Sequence, residues 1–171
     1  MVGARRGPQP CPGRAAGLAV SVLGWRQWAV DKDGMLRPAW TPWSPFPQGL
    51  LLWRPDGVTR AHCLRGTSHG LPAGPAVPHP ECVCGLYAWR APAALASAPR
   101  PRWTRRPIVL GVARFGGRMI IAERGLRASS GYPVAVLDPA AVVSPRYPIA
   151  RYRHWPALVA EWHADGEPAA A

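Results

Sequence analysis

Proline is the residue that most constrains the fold of this chain, because it locks φ and has no amide hydrogen to donate. The chain has 22 prolines and 18 glycines in 171 residues. The prolines crowd into residues 8–12, 38–47, 72–80 and 92–107, where they exclude long helices and central strands. Hydrophobic residues make up 48% of the chain, enough for a folded core between these stretches. The sequence therefore predicts short elements joined by proline-rich loops.

The chain is long enough for one domain with tails. We predict a tail at 1–17, a single zinc-stabilised domain at 18–165 and a second tail at 166–171. Arg5 and Arg6, followed by AAGLAVSVLGW, have the outline of a signal peptide, but the apolar run is short and lacks a small-x-small exit. We expect a disordered N-terminal tail on a cytoplasmic protein, with secretion as the alternative. No stretch reaches the roughly 18 apolar residues of a membrane span.

Alternating β-prone segments separated by turn residues predict hairpins. WRQWAV, DKDG and MLRPAW form the first, with Pro38 placing the return strand at an edge or ending it early. LLLW, RPDG and VTRAHC predict a second. PIVLGVARF, RMIIAE and LRASSGYPVAVL predict a three-stranded meander, with Gly116 and Gly117 at its first turn.

Two short helices are expected, each with a proline in its first turn. One contains Pro92, and the other begins at His154 with Pro156 near its start. In the second, Leu158, Val159 and Trp162 share a face. The predicted fold class is mainly β (α+β): a small antiparallel barrel or bent sheet of five to seven strands, with a zinc-stapled loop and a short C-terminal helix.

Cysteine and histidine cluster in one window, AHCLRGTSHGLPAGPAVPHPECVCG, which holds three of the four cysteines and three of the five histidines. Thiolate and imidazole are the ligands of structural Zn²⁺, and Cys₃His is a common set. Gly85 can relax the backbone after the second thiol of the Cys-x-Cys pair. His79 lies so close in sequence to this pair that one ion is hard to reach with all three. We therefore predict the ligands Cys63, His69, Cys82 and Cys84, with His79 as the alternative fourth ligand.

Other interpretations of these cysteines stay open. They could be buried small hydrophobic residues. Cys63 could form a disulfide with Cys82 or Cys84, or the Cys-x-Cys pair could be redox-active. A metal site with water as its fourth ligand would be catalytic in type. The mixed thiol and imidazole clustering favours structural zinc.

Several enzyme classes lack their signatures here. HPEC contains His-x-Glu, but no Pro-Cys-x-x-Cys follows as in nucleobase deaminases. There is no Gly-x-Ser-x-Gly elbow, no phosphate-binding loop and no carboxylate pair placed for acid–base catalysis. We expect a non-catalytic binding or adaptor module. The alternative is a metal- or cysteine-dependent enzyme that uses Cys63, Cys82 and Cys84 in an open site.

The charge suggests a partner. The formal net charge is +12, and Lys32 is the only lysine among the basic residues, the rest being arginine. Such a field attracts polyanions. The chain has nine tryptophans, and exposed aromatic residues beside arginines could stack on the bases of single-stranded nucleic acid. Dispersed arginine is also typical of GC-rich coding, and buried tryptophan of a small β core. A nucleic acid or a protein is therefore the expected partner.

A polar segment, GLRASSGYP, interrupts the apolar meander. Its polar side chains could line a ligand groove, although a bulge or turn at Gly131 and Pro133 explains the same pattern. The candidate ligand-binding residues are Arg127, Ser129, Ser130 and Tyr132.

Two blocks carry a resemblance: AHCLRG…H…ECVCGLYAW, and then VLGVARFGGRMIIAERGLRASSGYP. Together they resemble a group of small uncharacterised bacterial proteins with a Cys, a His and a Cys-x-Cys-Gly-aromatic block before a Gly-x-Arg-Ala…Tyr-Pro block. The resemblance covers roughly residues 24–137. It implies metal ligands at Cys63, Cys82 and Cys84, with a histidine from the loop before the Cys-x-Cys pair.

Overall fold

The computed structural model describes residues 21–43, 45–65 and 76–163. The predicted tails at 1–17 and 166–171 lie outside these residues. So does His69, the favoured histidine ligand.

The described residues form a mainly β structure, as predicted. They make a mixed seven-stranded sheet, two short α-helices and one 3₁₀-helix. Neither α-helix in this part of the chain is long and apolar enough to cross a lipid bilayer. The elements are β1 (Ser21–Val30), β2 (Leu36–Pro38), a 3₁₀-helix (Gln48–Leu51), β3 (Thr59–Arg60), β4 (Leu86–Trp89), α1 (Pro92–Ala96), β5 (Ile108–Ile121), β6 (Gly125–Leu137), β7 (Ala150–Tyr152) and α2 (Trp155–Trp162).

Four strands close a ring of hydrogen bonds. β5 pairs with both β1 and β6, β6 pairs with β4, and β4 returns to β1. The last contact is one residue pair, Trp25 with Trp89, so the ring is not a complete barrel. β2 extends the sheet beyond β1, while β3 and the parallel β7 both lie on β6. Because β5 occupies one edge of β6, the strands β4, β3 and β7 share the other edge.

Aromatic packing fills the larger of two cores. Trp53 meets Trp28 edge to face at 5.3 Å between ring centroids and Phe115 at 6.1 Å. All three are buried, and such rings contribute large apolar area in a small β domain. The second core lies on the opposite face, where Leu95 of α1 and Leu158 of α2 cover the sheet. β1 is buried almost throughout because successive side chains enter these two cores.

The predicted second hairpin is wrong. Its first arm enters the 3₁₀-helix, and the amide of Trp53 donates to the carbonyl of Leu36 rather than to the predicted partner arm. The turn itself forms, because the Thr59 hydroxyl accepts a hydrogen bond from the Arg54 amide at 2.9 Å. Thr59 and Arg60 then pair with β6. β3 therefore pairs with β6, which is distant in sequence, instead of with the neighbouring segment that the sequence suggested.

The predicted meander has two strands rather than three. Gly116 and Gly117 form a β-bulge inside one 14-residue strand, β5, instead of a turn. Gly117 has a φ of 72°, and a Cβ there would lie 2.2 Å from the Ser129 hydroxyl oxygen. Two glycines allow either a turn or a bulge, and continuous pairing with β6 selects the bulge.

The first hairpin and both helices are confirmed. β2 lies at the sheet edge, as Pro38 predicted. Both helices begin with a proline in their first turn. Leu158 is fully buried, with Val159 and Trp162 packed beside it.

The turn after β1 provides a test of stability. The Asp31 carboxylate accepts hydrogen bonds from the amides of Asp33 and Met35 and pairs with the Arg37 guanidinium at 2.9 Å. Burial alone would raise the pKa of Asp31, but these groups together lower it. The stabilisation that Asp31 provides is therefore complete above its unfolded-state pKa of about 3.9, and it is lost as pH falls through the lower folded pKa.

We predict that Asp31→Asn lowers the free energy of unfolding at pH 7 by about 1–3 kcal/mol, because it removes a charged hydrogen-bond partner. Denaturant titrations from pH 7 downward should show the difference shrinking in acid. Asp33→Asn is the control, since its pair with Lys32 is exposed and worth at most about 1 kcal/mol. Equal losses in the two variants at pH 7 would contradict the prediction.

Candidate metal centre

Three thiols meet where β3 and β4 adjoin along β6. The amide of Ala61, just past β3, donates to the carbonyl of Ser129, and β4 begins opposite Ala128. Cys63 follows the first of these points, while the Cys-x-Cys loop precedes the second. The shared strand therefore brings together cysteines that are 19 residues apart in sequence.

The sulfur geometry fits metal coordination. The Sγ atoms of Cys63, Cys82 and Cys84 all lie within 4.8 Å of one another, and the Cys63–Cys82 separation is 3.8 Å. Two thiolates on a tetrahedral zinc ion, with Zn–S bonds of about 2.3 Å, lie about 3.8 Å apart. A disulfide needs about 2.05 Å, and none of the three cysteines forms a disulfide within the described residues. The cluster can hold a metal ion.

The Arg127 side chain organises the loop that carries two of the thiols. Its Nη1 donates to the carbonyl oxygens of His79 at 3.3 Å and Cys84 at 3.4 Å, and also to that of Cys82. The guanidinium also lies 5.9 Å from the centroid of the Tyr87 ring. One planar cation thus satisfies three carbonyls in a six-residue loop.

Gly85 returns the chain from this loop into β4, as the sequence suggested. Its φ of 125° favours glycine. A Cβ at this position would lie 3.2 Å from the Cβ atoms of both Arg127 and Pro78. The tight return keeps the Cys84 carbonyl within hydrogen-bonding distance of the Arg127 guanidinium.

The thiols differ in electrostatic environment. Burial favours the neutral thiol of Cys82, but hydrogen bonds from Cys84 and Cys63 and the charge of Arg65 outweigh it, so the pKa of Cys82 is lowered. The pKa of Cys84 is raised, first by burial and then by neighbouring Cys82, although the His79 amide donates to its sulfur at 3.4 Å. A cation between the sulfurs would remove the repulsion between two thiolates.

The two candidate histidine ligands differ in their relation to the thiol cluster. His79 lies beside the cluster, but its Nδ1 accepts the amide of Glu81 at 3.3 Å. In the described part of the chain the cluster comprises the three thiols alone. His69 lies outside the described residues, so its role as fourth ligand stays a prediction.

The four candidate ligand-binding residues have separate contacts. Arg127 holds the thiol loop and lines a cleft. The Ser129 and Ser130 hydroxyls both donate to the carbonyl of Gly116 at the bulge. Tyr132 pairs with Arg114 across β5 and β6 and lies outside that cleft's lining.

Sequence reasoning missed the cleft itself, an open cavity of about 970 Å³ whose wall includes all three cysteines. Its lining also includes Arg26 and Gln27, both buried. The signal was present in WRQW, where two adjacent polar residues occupy a strand that is buried on both faces. The other arginines of the cleft come from two distant segments: Arg60 and Arg65 from one, Arg124 and Arg127 from the other.

Comparison with protein-family models, curated proteins and solved structures gives no match for this chain. Its function must therefore be argued from the site, since a fold alone does not specify one.

The Arg127 contacts can be tested in metal-free protein. We predict that Arg127→Gln lowers the free energy of unfolding by about 1.5–3 kcal/mol, because several hydrogen bonds to a charged group are removed. Cys82 and Cys84 should also react faster with a thiol-titrating disulfide reagent. Arg118→Gln is the control, since Arg118 is exposed in β5. Unchanged thiol reactivity in Arg127→Gln would contradict the assignment.

Proposed function

We propose that this protein is a non-catalytic, zinc-stabilised binding module in which Cys63, Cys82 and Cys84 hold one structural Zn²⁺ ion. The observation that carries the proposal is the convergence of three sulfur atoms within 4.8 Å. His69 is the proposed fourth ligand, completing a Cys₃His set. Soft thiolate ligands with one imidazole favour zinc over the hard cations Mg²⁺ and Ca²⁺.

The metal has a structural task in this fold. β3 has two residues and β4 has four, and β4 closes the ring through a single pair with β1. Such short strands contribute few hydrogen bonds. A metal bound between Cys63 and the Cys-x-Cys loop would tie both strands to β6, and its binding free energy would add to folding.

A binding role is favoured by the surroundings of the thiols. Cys82 and Cys84 are 5% and 7% exposed. The described residues lining the adjacent cleft include no aspartate or glutamate, so His62 is the one side chain of an ordinary general-base type in that lining apart from the thiols.

An enzyme with an open metal site is the second candidate, because the three thiols lie in the wall of the cleft. Cobalt substitution separates the two proposals. In a closed site, the absorption bands of bound Co²⁺ should stay unchanged when azide is added. A spectral shift with azide would indicate an exchangeable coordination position and favour the enzyme.

Metal content provides the direct test. We predict about one zinc per chain in protein purified without added metal, with the free energy of unfolding falling by several kcal/mol after chelation. Cys63→Ser, Cys82→Ser and Cys84→Ser should each lose most of the zinc. Cys11→Ser is the matched control and should retain it, because Cys11 lies far outside the cysteine window in sequence.

Native mass spectrometry reports the stoichiometry, and thermal unfolding reports the stabilisation. Metal-free protein with unchanged unfolding in the presence of chelator would overturn the proposal.

A further inference from the structure

We infer that the cleft beside the thiol cluster binds single-stranded nucleic acid, with its arginines on phosphates and its exposed rings on unpaired bases. The inference rests on the proposed function in one respect, since the metal would hold one wall of the cleft. Its volume of about 970 Å³ is at the upper end of ligand-pocket sizes, about 300–1,000 Å³.

Exposed apolar side chains concentrate in this cleft. Six large hydrophobic residues among those described are more than about a third exposed, and four of them line it. Isolated exposed apolar residues need no explanation, but a contiguous group marks a binding surface. The four are Trp40 at 48%, Leu50 at 38%, Val83 at 63% and Tyr87 at 45% exposure.

The charge of the cleft has one sign. Its described lining contains five arginines and no acidic residue. Arg60 and Arg124 are exposed and can reach phosphates, whereas Arg127 is committed to the loop carbonyls. A concave surface with charges of one sign concentrates its field on an anionic ligand. The occupant is therefore anionic.

The buried guanidinium of Arg26 also favours an anionic ligand in the cleft. Arg26 is a buried residue of the cleft lining, with its guanidinium 4.8 Å from the Trp53 ring centroid and its Nη1 donating to the Tyr87 carbonyl. Its Nε has no hydrogen-bond partner among the described residues. Burial lowers the pKa of Arg26 to about 9. A buried cation without a carboxylate partner is costly, and a bound phosphate would supply the missing charge.

The combination of exposed aromatic rings and arginines distinguishes among the possible polyanionic ligands: duplex nucleic acid, single-stranded nucleic acid and a lipid bilayer. In duplex nucleic acid the base faces are stacked inside, so exposed rings gain little from it. In a single strand each base presents a face for stacking, and arginines follow the backbone. A lipid bilayer presents a flat surface that does not enter a concave cleft. Single-stranded RNA or DNA is thus the occupant that uses both features.

Fluorescence anisotropy with end-labelled, mixed-sequence strands of about 20 nucleotides tests the inference, since single-strand sites usually span about 4–16 nucleotides. Parallel titrations with single-stranded RNA, single-stranded DNA and the matching duplex show which kind of nucleic acid the protein binds. We expect single strands to bind at least about tenfold more tightly than duplex, with affinity falling steeply between about 50 and 200 mM salt.

Two pairs of variants locate the site. Arg60→Ala with Arg124→Ala should lower the salt slope by about 1.4, because each phosphate that an arginine neutralises adds about 0.7 to the slope. Arg146→Ala with Arg153→Ala removes the same charge from exposed residues outside the cleft lining and should leave the slope near wild type. Tyr87→Ala should weaken binding about 5- to 150-fold because the stacking ring is removed, whereas Tyr87→Phe keeps the ring and most of the affinity.

Zinc content is measured on every sample, so the two proposals fail separately. Loss of binding in Arg60→Ala/Arg124→Ala with zinc retained supports the cleft. Zinc-loaded, folded wild-type protein that binds no single strand at low salt overturns the inference and leaves the metal proposal intact. Equal weakening by the Arg146/Arg153 control pair also overturns it, because the attraction would then be general surface charge.

Discussion

One edge of β6 supports the functional part of the molecule. β5 fills the opposite edge, so β4, β3 and β7 must follow one another along the edge that remains. The junction between β3 and β4 is a break in the ladder, and two loops meet there. Those loops carry the three thiols. The metal centre therefore depends on the pairing of the short strands β3 and β4 with neighbouring parts of the same edge of β6.

The arginines of this chain act through their surroundings. Arg127 donates hydrogen bonds to three loop carbonyls. Arg37 and Arg151 each form an ion pair with an aspartate that is largely buried, Asp31 and Asp138 respectively. Arg26 has no such carboxylate among the described residues, although it is buried and lines the cleft. The net charge of the chain does not distinguish these roles. Burial and the available acceptors do, because each unpaired buried group carries a desolvation cost.

Local signals predicted part of the fold well. DKDG closes the first hairpin, and Pro92 and Pro156 begin the two helices, because proline and turn residues restrict the backbone within a few positions. The same signals failed at LLLW and at Gly116–Gly117. In both cases pairing with β2 or β6, remote in sequence, chose among conformations that local chemistry allows. Of the candidate site, the thiols were visible as a cluster, but the cleft was not.

The sequence by itself determined that the chain forms short β elements and that its thiols are concentrated in one window, since proline placement and ligand type are local properties. Only the tertiary structure decided that Cys63 meets the Cys-x-Cys loop, that Arg127 holds this loop and that Arg26 lies beneath a cleft. These arrangements arise from strands paired across the sheet. Long-range pairing is set by the packing of the whole core, which no local pattern encodes.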